Sequence, residues 1–300
     1  MPANSSAFYT TQYASAVELL AQQLRPRIAS TFAPMTAEGM SATVVDFIDS
    51  FEADERTTLY DDIPFSDVSH TRPWVYPRHF DKAIPFDSIE KMQMNANPES
   101  AYVQGVVAAL NRKQDLEAIR AFFDTRNLGQ TGTTTEAFNV NSNRVVSQDI
   151  GGTGSGLNVE KIQQALRLMR QSEVGIEAGE QVHIVISPAQ EQNIMNEIEV
   201  ISSDFTMKRI MDSGTIAGSG YMGLDWIISN FLPVDGNGYR RIPFYTTAGM
   251  SFSTWDGGIK TSVDQRVDKR GRPWQVYGEG HFGSVRRDEK RVYEIKCVES

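Results

Sequence analysis

The clearest pattern of apolar and polar positions is the stretch "NPESAYVQGVVAALNRKQDLEAIRAFFD". Its apolar residues recur at helical spacing and form one stripe with a single charged interruption. They are Val103, Val106, Val107, Leu110, Leu116, Ile119, Phe122 and Phe123. Asn97 suits the N-cap and Pro98 the first helical position, where a missing N–H costs nothing. The pattern predicts a helix over about 98–124, roughly 40 Å long, with Asn127 and Gly129 marking its end.

The second half of the chain mixes helices and strands without a regular βαβ rhythm. A helix is predicted over about 158–172. "QVHIVISPAQEQNIM" then predicts a buried strand over 182–186 and a helix opened by Ser187 and Pro188. "GLDWIISNFLP" and "RVYEIKCV" each predict a further strand, and short strands with glycine-rich turns are expected over 240–280. This mixture favours an α+β fold.

Residues 40 to 82 have a different character, with short β-branched and aromatic runs, acidic turns and three prolines. Val44, Phe47 and Ile48 build no continuous apolar face, and turn chemistry around "YDDIP" separates two halves. The segment predicts a long, exposed antiparallel hairpin. Such a hairpin is marginal by itself, and its open edges need a partner to cover them. An ordinary surface hairpin is the alternative.

The beginning of the chain predicts an amphipathic arm over residues 7 to about 30. Its apolar residues are spaced roughly as one helical face. They are Phe8, Tyr13, Val17 and Leu20. An arm of this kind buries little surface within itself, so we expect it to pack on something else.

Composition narrows the function classes. A length of 300 residues suits one large domain or two closely joined ones, and 40% hydrophobic with 22% charged residues is typical of a folded protein. The formal net charge of −9 argues against a surface built to grip DNA or RNA. It does not argue against a protein that encloses nucleic acid.

The cysteine content and the first residues of the chain indicate the cellular compartment in which the protein is made. Cys297 is the one cysteine, so no disulfide forms within the chain, and an inert buried thiol is expected. "MPANSSAFYTTQYASAVELL" lacks a basic region followed by an apolar run, and no stretch has the roughly 20 apolar residues of a membrane helix. We expect cytoplasmic synthesis and no membrane.

The stretch "GSGYMG", residues 218–223, spells the G-x-G-x-x-G pattern of dinucleotide-binding oxidoreductases. That chemistry needs a buried strand before the glycines and a helix that begins at the last ones. "MKRIMDSGTIA" before them is not a buried strand, and "LDWIISNFLP" after them has strand character. Both flanks favour glycines that shape a loop before a strand, with the oxidoreductase as the weaker alternative.

Other signals of catalysis are weak. Residues 129–156 are rich in Gly, Thr, Asn and Ser and predict a loop or exposed ribbon. Its "GGTGSGLN" has Leu157 where a phosphate-binding loop needs lysine. The four histidines form no zinc-ligand pair, and His183 lies in an apolar strand as a core or interface residue. No catalytic residue, cofactor or metal is expected.

Four motifs in order resemble the major capsid proteins of tailed bacteriophages, a fold shared with herpesvirus capsid floors and encapsulin shells. "NPESAYVQGVVAALNRKQDLEAI" is similar to the start of their spine helix, and "HIVISPAQEQNIM" to the strand and helix that open their axial domain. "SGTIAGSGYMGLDWIISNFLP" resembles a further axial segment, and "GHFGSVRRDEKRVYEIKC" their closing strands. Each motif is modestly specific, and the resemblance spans about residues 7 to 298.

The resemblance implies an α+β capsid fold with five parts. They are an N-terminal arm (1–38), an extended β-hairpin loop (39–83), a peripheral domain with the spine helix at about 98–124 (84–180), an axial domain (181–256), and return strands of the peripheral domain (257–300). It also implies hexamers and pentamers that close an icosahedral virion shell around double-stranded DNA without sequence-specific binding. An encapsulin-type compartment is the alternative within the same fold.

The resemblance also points to contacts between subunits. The residues assigned to them are Phe8, Tyr13, Arg56, Asp61, Asp62, Arg72, Trp74, Gly218, Gly220 and Gly223. A group of basic residues could meet acidic neighbours or DNA, with pairing between subunits preferred: Arg25, Arg27, Arg286, Arg287, Lys290 and Arg291. The expected partners are further copies of the chain, a separate scaffolding protein and a portal protein at one vertex. A decoration protein is compatible with this set.

Two departures from the family pattern carry expectations. Some members cross-link covalently through a lysine near the tip of the extended loop, whereas this chain has no lysine between Thr36 and Asp81. We therefore expect no covalent cross-link by that route. Some members carry a fused scaffold of about a hundred residues before the loop, and the short arm here leads us to expect scaffolding from a separate protein.

Overall fold

The computed structural model describes residues 22–48, 51–53, 55, 67–86, 99–138, 143–201 and 214–299. Within these residues the helices are α1 (Glu99–Phe123), α2 (Val159–Gln171) and α3 (Pro188–Ile201). The strands are β1 (Ala33–Ala37), β2 (Ala42–Thr43), β3 (Phe47–Ile48), β4 (His70–Thr71), β5 (Pro73–Val75), β6 (Arg78–Phe86), β7 (Arg126–Leu128), β8 (Thr134–Glu136), β9 (Val145–Val146), β10 (Val182–Ile186), β11 (Leu224–Ile228), β12 (Arg240–Thr246), β13 (Met250–Gln265), β14 (Trp274–Arg286) and β15 (Val292–Cys297).

The described strands form four sheets, and the mixture of helices and sheets confirms the α+β prediction. Their orders are β1-β13-β14-β6, β11-β10-β12-β15-β9, β2-β5-β7-β8 and β3-β4. The chain divides into two compact units. The first comprises His79–Lys113, Gly257–His281 and the described residues before Arg27, and the second comprises Arg27–Arg78, Gln114–Asp256 and the chain from Phe282 onwards.

The first unit packs one face of its strands on the first half of α1. Phe86 and Val276 are buried with Val106 and Leu110 of α1. Helix and strand approach closely because Gly278 lacks a side chain, and a Cβ there would lie 2.4 Å from Val106 Cγ1. The alternation of a strand then turns every second residue of β6 and β14 away from this core.

The second unit is built on the five-stranded sheet. All five residues of β10 are buried, as expected for a strand with neighbours on both sides. Helix α2 lays an apolar face on this core, and Asn158 caps it by accepting a 2.8 Å hydrogen bond from the Lys161 backbone N–H. The predicted strand over 182–186, the helix opened by Pro188 and the last strand are confirmed.

Three sequence predictions were wrong in detail. Asn127 does not terminate the long helix, because it lies in β7 and pairs with Trp74 and Thr135. Leu116 leaves the core stripe and is 37% exposed, on an open groove of about 380 Å³. Over 240–280 the short strand β12 is followed by two long strands where short ones were expected, β13 with 16 residues and β14 with 13. Asn97 and Pro98 lie outside the described residues.

Candidate functional site

The candidate site is the extended hairpin, whose base has two pairs of antiparallel strands. β2 pairs with β5, placing Ala42 opposite Val75, and β3 pairs with β4, placing Phe47 opposite Thr71. β5 also pairs with β7, so the base is tied to the strand that follows α1. Antiparallel pairing is therefore present where residues are described, while the span 39–83 as a separate loop stays a prediction.

Two of the predicted contact residues, Arg72 and Trp74, brace this base. The Arg72 guanidinium donates to both carboxylate oxygens of Asp46, at 2.5 and 2.6 Å. These hydrogen bonds, followed by the charge of Arg72, hold the pKa of Asp46 below its ordinary value. Trp74 Nε1 donates to the Gly129 carbonyl oxygen at 2.6 Å. Both side chains thus have partners within the chain, and their role between subunits stays a prediction.

The described hairpin also exposes large apolar side chains, which the sequence prediction did not single out. Met40 is 90% exposed, Phe51 74%, Ile48 61% and Val68 41%. Isolated exposed apolar residues are ordinary, but four within one acidic excursion suggest a surface that a partner covers. The sequence could have indicated this exposure, because these apolar residues lie in a segment that has no continuous apolar face.

The other predicted residues fall in two groups. Gly218, Gly220 and Gly223 form the loop before β11, at φ of +72°, +66° and +73°. No hydrogen bond, ion pair or ring contact among the described residues joins them to Arg72 or Trp74. Five predicted contact residues lie outside the described residues: Phe8, Tyr13, Arg56, Asp61 and Asp62.

The glycine loop has the geometry of a structural turn. Its left-handed φ values favour glycine, and a three-residue 3₁₀ turn, Tyr221–Gly223, leads directly into the strand Leu224–Ile228. A dinucleotide site would need an α-helix at this position. The structure thus agrees with the loop-before-strand interpretation on the described side, and residues 202–213 lie outside the described residues.

We expect Gly220→Ala to lower the free energy of unfolding by about 1 kcal/mol. Its φ of +66° disfavours a side chain, while a Cβ there meets nothing within 4 Å, so the cost is purely conformational. Gly236→Ala is the matched control, because Gly236 has equal space and no positive φ. Denaturant unfolding of both variants measures the difference, and equal stability of the two would contradict the explanation.

His183 is a satisfied core residue, as predicted. Its Nδ1 lies 2.8 Å from Asp225 Oδ2 and its Nε2 2.8 Å from Thr247 Oγ1, and the ring stacks on Tyr245 with centroids 5.3 Å apart. Burial lowers the pKa of His183, against the opposing effect of the Asp225 carboxylate. A neutral imidazole held on both nitrogens ties β10 to its neighbours.

The basic residues near the end of the chain were expected to pair between subunits, and the structure shows partners for two of them within the chain. Arg286 is fully buried, and its Nε donates to Glu289 Oε1 at 2.7 Å. Its Nη1 donates to the Phe122 and Asp124 carbonyl oxygens at 2.9 and 2.5 Å, which satisfies the end of α1. Arg291 pairs with Glu180 and Asp288. The preferred use between subunits is therefore wrong for the buried Arg286, while for Arg291, which is partly exposed, it stays a prediction.

Glu289 is the centre of this buried charge cluster. Besides Arg286, Arg126 Nε lies 3.2 Å and Arg144 Nη1 2.5 Å from its carboxylate. Arg126 also pairs with Glu136 at 2.5 Å. The cluster joins β7, β8 and the segment before β9 to the end of β14.

A second buried polar contact anchors the glycine-rich ribbon. Lys161 is fully buried, and its Nζ donates to the carbonyl oxygens of Ser155, Gly156 and Lys296 at 2.7, 2.9 and 3.1 Å. It also lies 3.8 Å from Cys297 Sγ. Burial lowers the pKa of Lys161 and raises the pKa of the Cys297 thiol to about 12. The prediction of a buried cysteine is confirmed.

Cys297 should resist thiol reagents in the folded protein. Because only the thiolate reacts, a buried thiol with a pKa of about 12 is unreactive at neutral pH. We expect iodoacetamide labelling at pH 8 to be slower than in guanidinium-unfolded protein by more than about a thousandfold, since the raised pKa and burial act together. Mass spectrometry of timed aliquots measures the rate. Equal rates in folded and unfolded protein would show an accessible thiol.

A basic turn, defined as Arg266–Pro273 between β13 and β14, is the second surface that the sequence prediction missed. It holds four cations and one acid, a net charge of +3, in a chain of net charge −9. Arg266 and Lys269 contact Asp268. Val267 and the four cationic side chains are exposed.

Metal-ligand clusters and membrane-spanning helices were sought among the described residues. These residues hold no group of three or more His, Cys, Asp or Glu side chains suited to a metal ion. None of the described helices is both long and apolar enough to span a bilayer.

Comparison with known proteins defines the class. The fold matches the capsid of Ralstonia phage GP4 with a TM-score of 0.71 and 10% identity, covering 100% of this chain and 98% of that one. It matches the capsid of cyanophage Pam1 with a TM-score of 0.72 and 10% identity, covering 98% of each chain. For the capsid of cyanophage P-SCSP1u the values are 0.70 and 11%, covering 98% and 94%. These likenesses show a phage capsid fold.

The family follows from the sequence. Residues 5–299 match the family described as phage capsid protein, and the chain belongs to that family. No curated protein matches it. The chain is therefore a phage capsid protein, and proteins of this family are structural proteins rather than enzymes. The family match favours this identity over an encapsulin-type shell.

Proposed function

We propose that this chain assembles into hexamers and pentamers of an icosahedral head around double-stranded DNA. The observation that carries the proposal is a hairpin with exposed apolar side chains in a member of the phage capsid family. The net charge of −9 suits a wall that encloses DNA without gripping it.

The hairpin is proposed to lie across a neighbouring copy. The exposed Met40, Ile48 and Phe51 would then be removed from water, and the short open strands β3 and β4 would be covered. Permanent interfaces of this kind bury upward of about 2,000 Å². The braces at Arg72 and Trp74 fix the base from which the hairpin projects.

Charge suggests where the hairpin docks. Residues 46–67 contain eight acids and one arginine, a net charge of −7, whereas the basic turn carries +3. We propose that the acidic hairpin of one copy meets the basic turn of another, since complementary charge guides docking and register. The described acids Glu52, Glu55 and Asp67 are exposed and therefore available to a partner.

The remaining partners complete the proposal. Assembly takes place in the host cytoplasm with a separate scaffolding protein, and a portal protein occupies one vertex. A decoration protein is compatible with the exposed surfaces. The glycine loop at 218–223 is proposed to bend differently in pentamers and hexamers, which a particle map that resolves both environments would test.

Negative-stain microscopy of the purified protein tests assembly. We expect rings, tubes or closed shells, and shells that contain DNA when they are isolated from infected cells. Soluble monomers under every condition, with native circular dichroism, would contradict the proposal. Shells that enclose a cargo enzyme instead of DNA would support the encapsulin-type alternative.

Boiled particles should run as a single monomer band on SDS gels. The reason is chemical, because an isopeptide bond from near the tip of the extended loop needs a lysine there, and none lies between Thr36 and Asp81. Lys82 is the first lysine after this stretch. A ladder of covalent multimers would contradict this prediction, and a Lys82→Arg variant would then show whether that residue forms the bond.

A further inference from the structure

Two of the four histidines face each other on adjacent strands of the first unit. His79 lies in β6 and His281 in β14, which are neighbours in their sheet. Their Nδ1 atoms are 2.9 Å apart, and the rings meet edge to face with centroids 4.7 Å apart. His79 is exposed and His281 half-buried, so solvent reaches the pair.

The strand alternation explains why this pair is on the open side. Phe80 and Ile84 of β6 turn toward the core formed with α1, so His79 and Asp81 turn the other way. Glu279 shares the outward side of β14 with His281. Both carboxylates lie near Tyr277 and raise its pKa. The hydrogen bond from Tyr277 to Glu279 has the largest effect, and burial and the charges of Glu279 and Asp81 add to it. Two carboxylates, Asp81 and Glu279, therefore share this side of the sheet with the pair.

We propose that His79 and His281 chelate one divalent transition-metal ion through their Nδ1 atoms. Metal–imidazole bonds are about 2.0–2.1 Å long, so nitrogens 2.9 Å apart subtend about 90° at a shared ion. That is the angle between adjacent ligands in square-planar or octahedral coordination, which Cu²⁺ and Ni²⁺ prefer. A tetrahedral Zn²⁺ ion would need the nitrogens about 3.3 Å apart.

The remaining coordination positions fall to water. The described residues include no group of three His, Cys, Asp or Glu side chains in ligand geometry, so the site is a two-imidazole chelate. Asp81 and Glu279, two positions along each strand, supply negative potential and acceptors for metal-bound water. In the absence of a metal, one Nδ1–H donates to the other Nδ1. Binding moves the proton of the donor ring from Nδ1 to Nε2, so that both imidazoles are then Nε2–H tautomers.

Titration calorimetry of the untagged protein with Ni²⁺ and with Cu²⁺ tests the proposal. We expect one ion per chain, and the Cu²⁺ electron paramagnetic resonance spectrum should show coupling to two nitrogens. His79→Gln and His281→Gln should each weaken binding by more than about tenfold, since loss of even an outer partner of a ligand costs that much. Binding should also fall in acid, because ligating imidazoles must be deprotonated.

His70→Gln is the matched control, because His70 is also exposed on a strand and has no histidine partner among the described residues. It should bind the metal as the wild type does. Circular dichroism melts of all three variants check folding, and glutamine keeps a polar side chain at each position. The proposal is overturned if no ion binds, if both His79 and His281 variants bind normally, or if His70→Gln alone loses the ion.

Discussion

Replacing Glu289 by glutamine should lower the free energy of unfolding by about 3–5 kcal/mol. The carboxylate of Glu289 is buried and lies within 3.2 Å of guanidinium nitrogens of Arg286, Arg126 and Arg144. Removal of its charge leaves a fully buried Arg286 without its ionic partner and leaves Glu136, which pairs with Arg126, as the remaining acid of the cluster. A buried charge that loses its partner costs far more than an exposed one, because water cannot replace the lost interaction.

Asp268→Asn provides the matched control for the Glu289 variant. This change also converts a carboxylate to an amide. It removes an ion pair in which Arg266 donates two hydrogen bonds of 2.8 Å to the Asp268 carboxylate. Both Arg266 and Asp268 are exposed, so little change in stability is expected. Guanidinium unfolding of the unassembled protein measures both. Equal losses of unfolding free energy in the two variants would show that burial does not account for the contribution of the Glu289 cluster to stability.

The elements that local signals define were predictable. β10 is a run of β-branched and apolar residues with a single histidine, and Ser187 with Pro188 ends it and starts a helix. Each signal lies within a few residues and needs no distant partner. The hairpin was likewise indicated by its turns and its lack of an apolar face.

The features that were missed depend on distant residues. Asn127 resembles a helix stop but lies in β7, because β5 and β8 offer it backbone partners from elsewhere in the chain. Long β13 is recognisable only beside β1 and β14, since its second half is exposed and polar. From the sequence alone Arg286 resembles a surface cation, whereas in the structure it is surrounded by Glu289 and the end of α1. Periodicity carries no information on such pairings.

The variant with Lys269→Glu, Arg270→Glu and Arg272→Glu should form no shells. Three reversals change the basic turn from +3 to −3, because each alters the charge by two. The acidic hairpin of a neighbour, with net charge −7, would then meet like charge, and like charges across an interface cost several kcal/mol. All three side chains are exposed, so the monomer should fold normally and accumulate as unassembled protein.

The control reverses an equal charge elsewhere, at the exposed Lys113, Arg167 and Lys260. If this control assembles while the turn variant does not, location rather than net charge is responsible. Microscopy and sedimentation of both variants give the readout, and salt above about 0.5 M should partly restore assembly by screening.

Charge reversals on the hairpin, combined with the turn variant, test whether the basic turn contacts the hairpin of another copy or DNA. Glu52→Lys, Glu55→Lys and Asp67→Lys change the hairpin charge from −7 to −1. Combined with the turn variant they remove most of the like-charge repulsion and should partly restore shells. Rescue of this kind requires the two surfaces to act on each other, because a turn that bound DNA would gain nothing from a change in the hairpin. Shells that form from the turn variant but package less DNA would contradict docking between copies and assign the turn to nucleic acid.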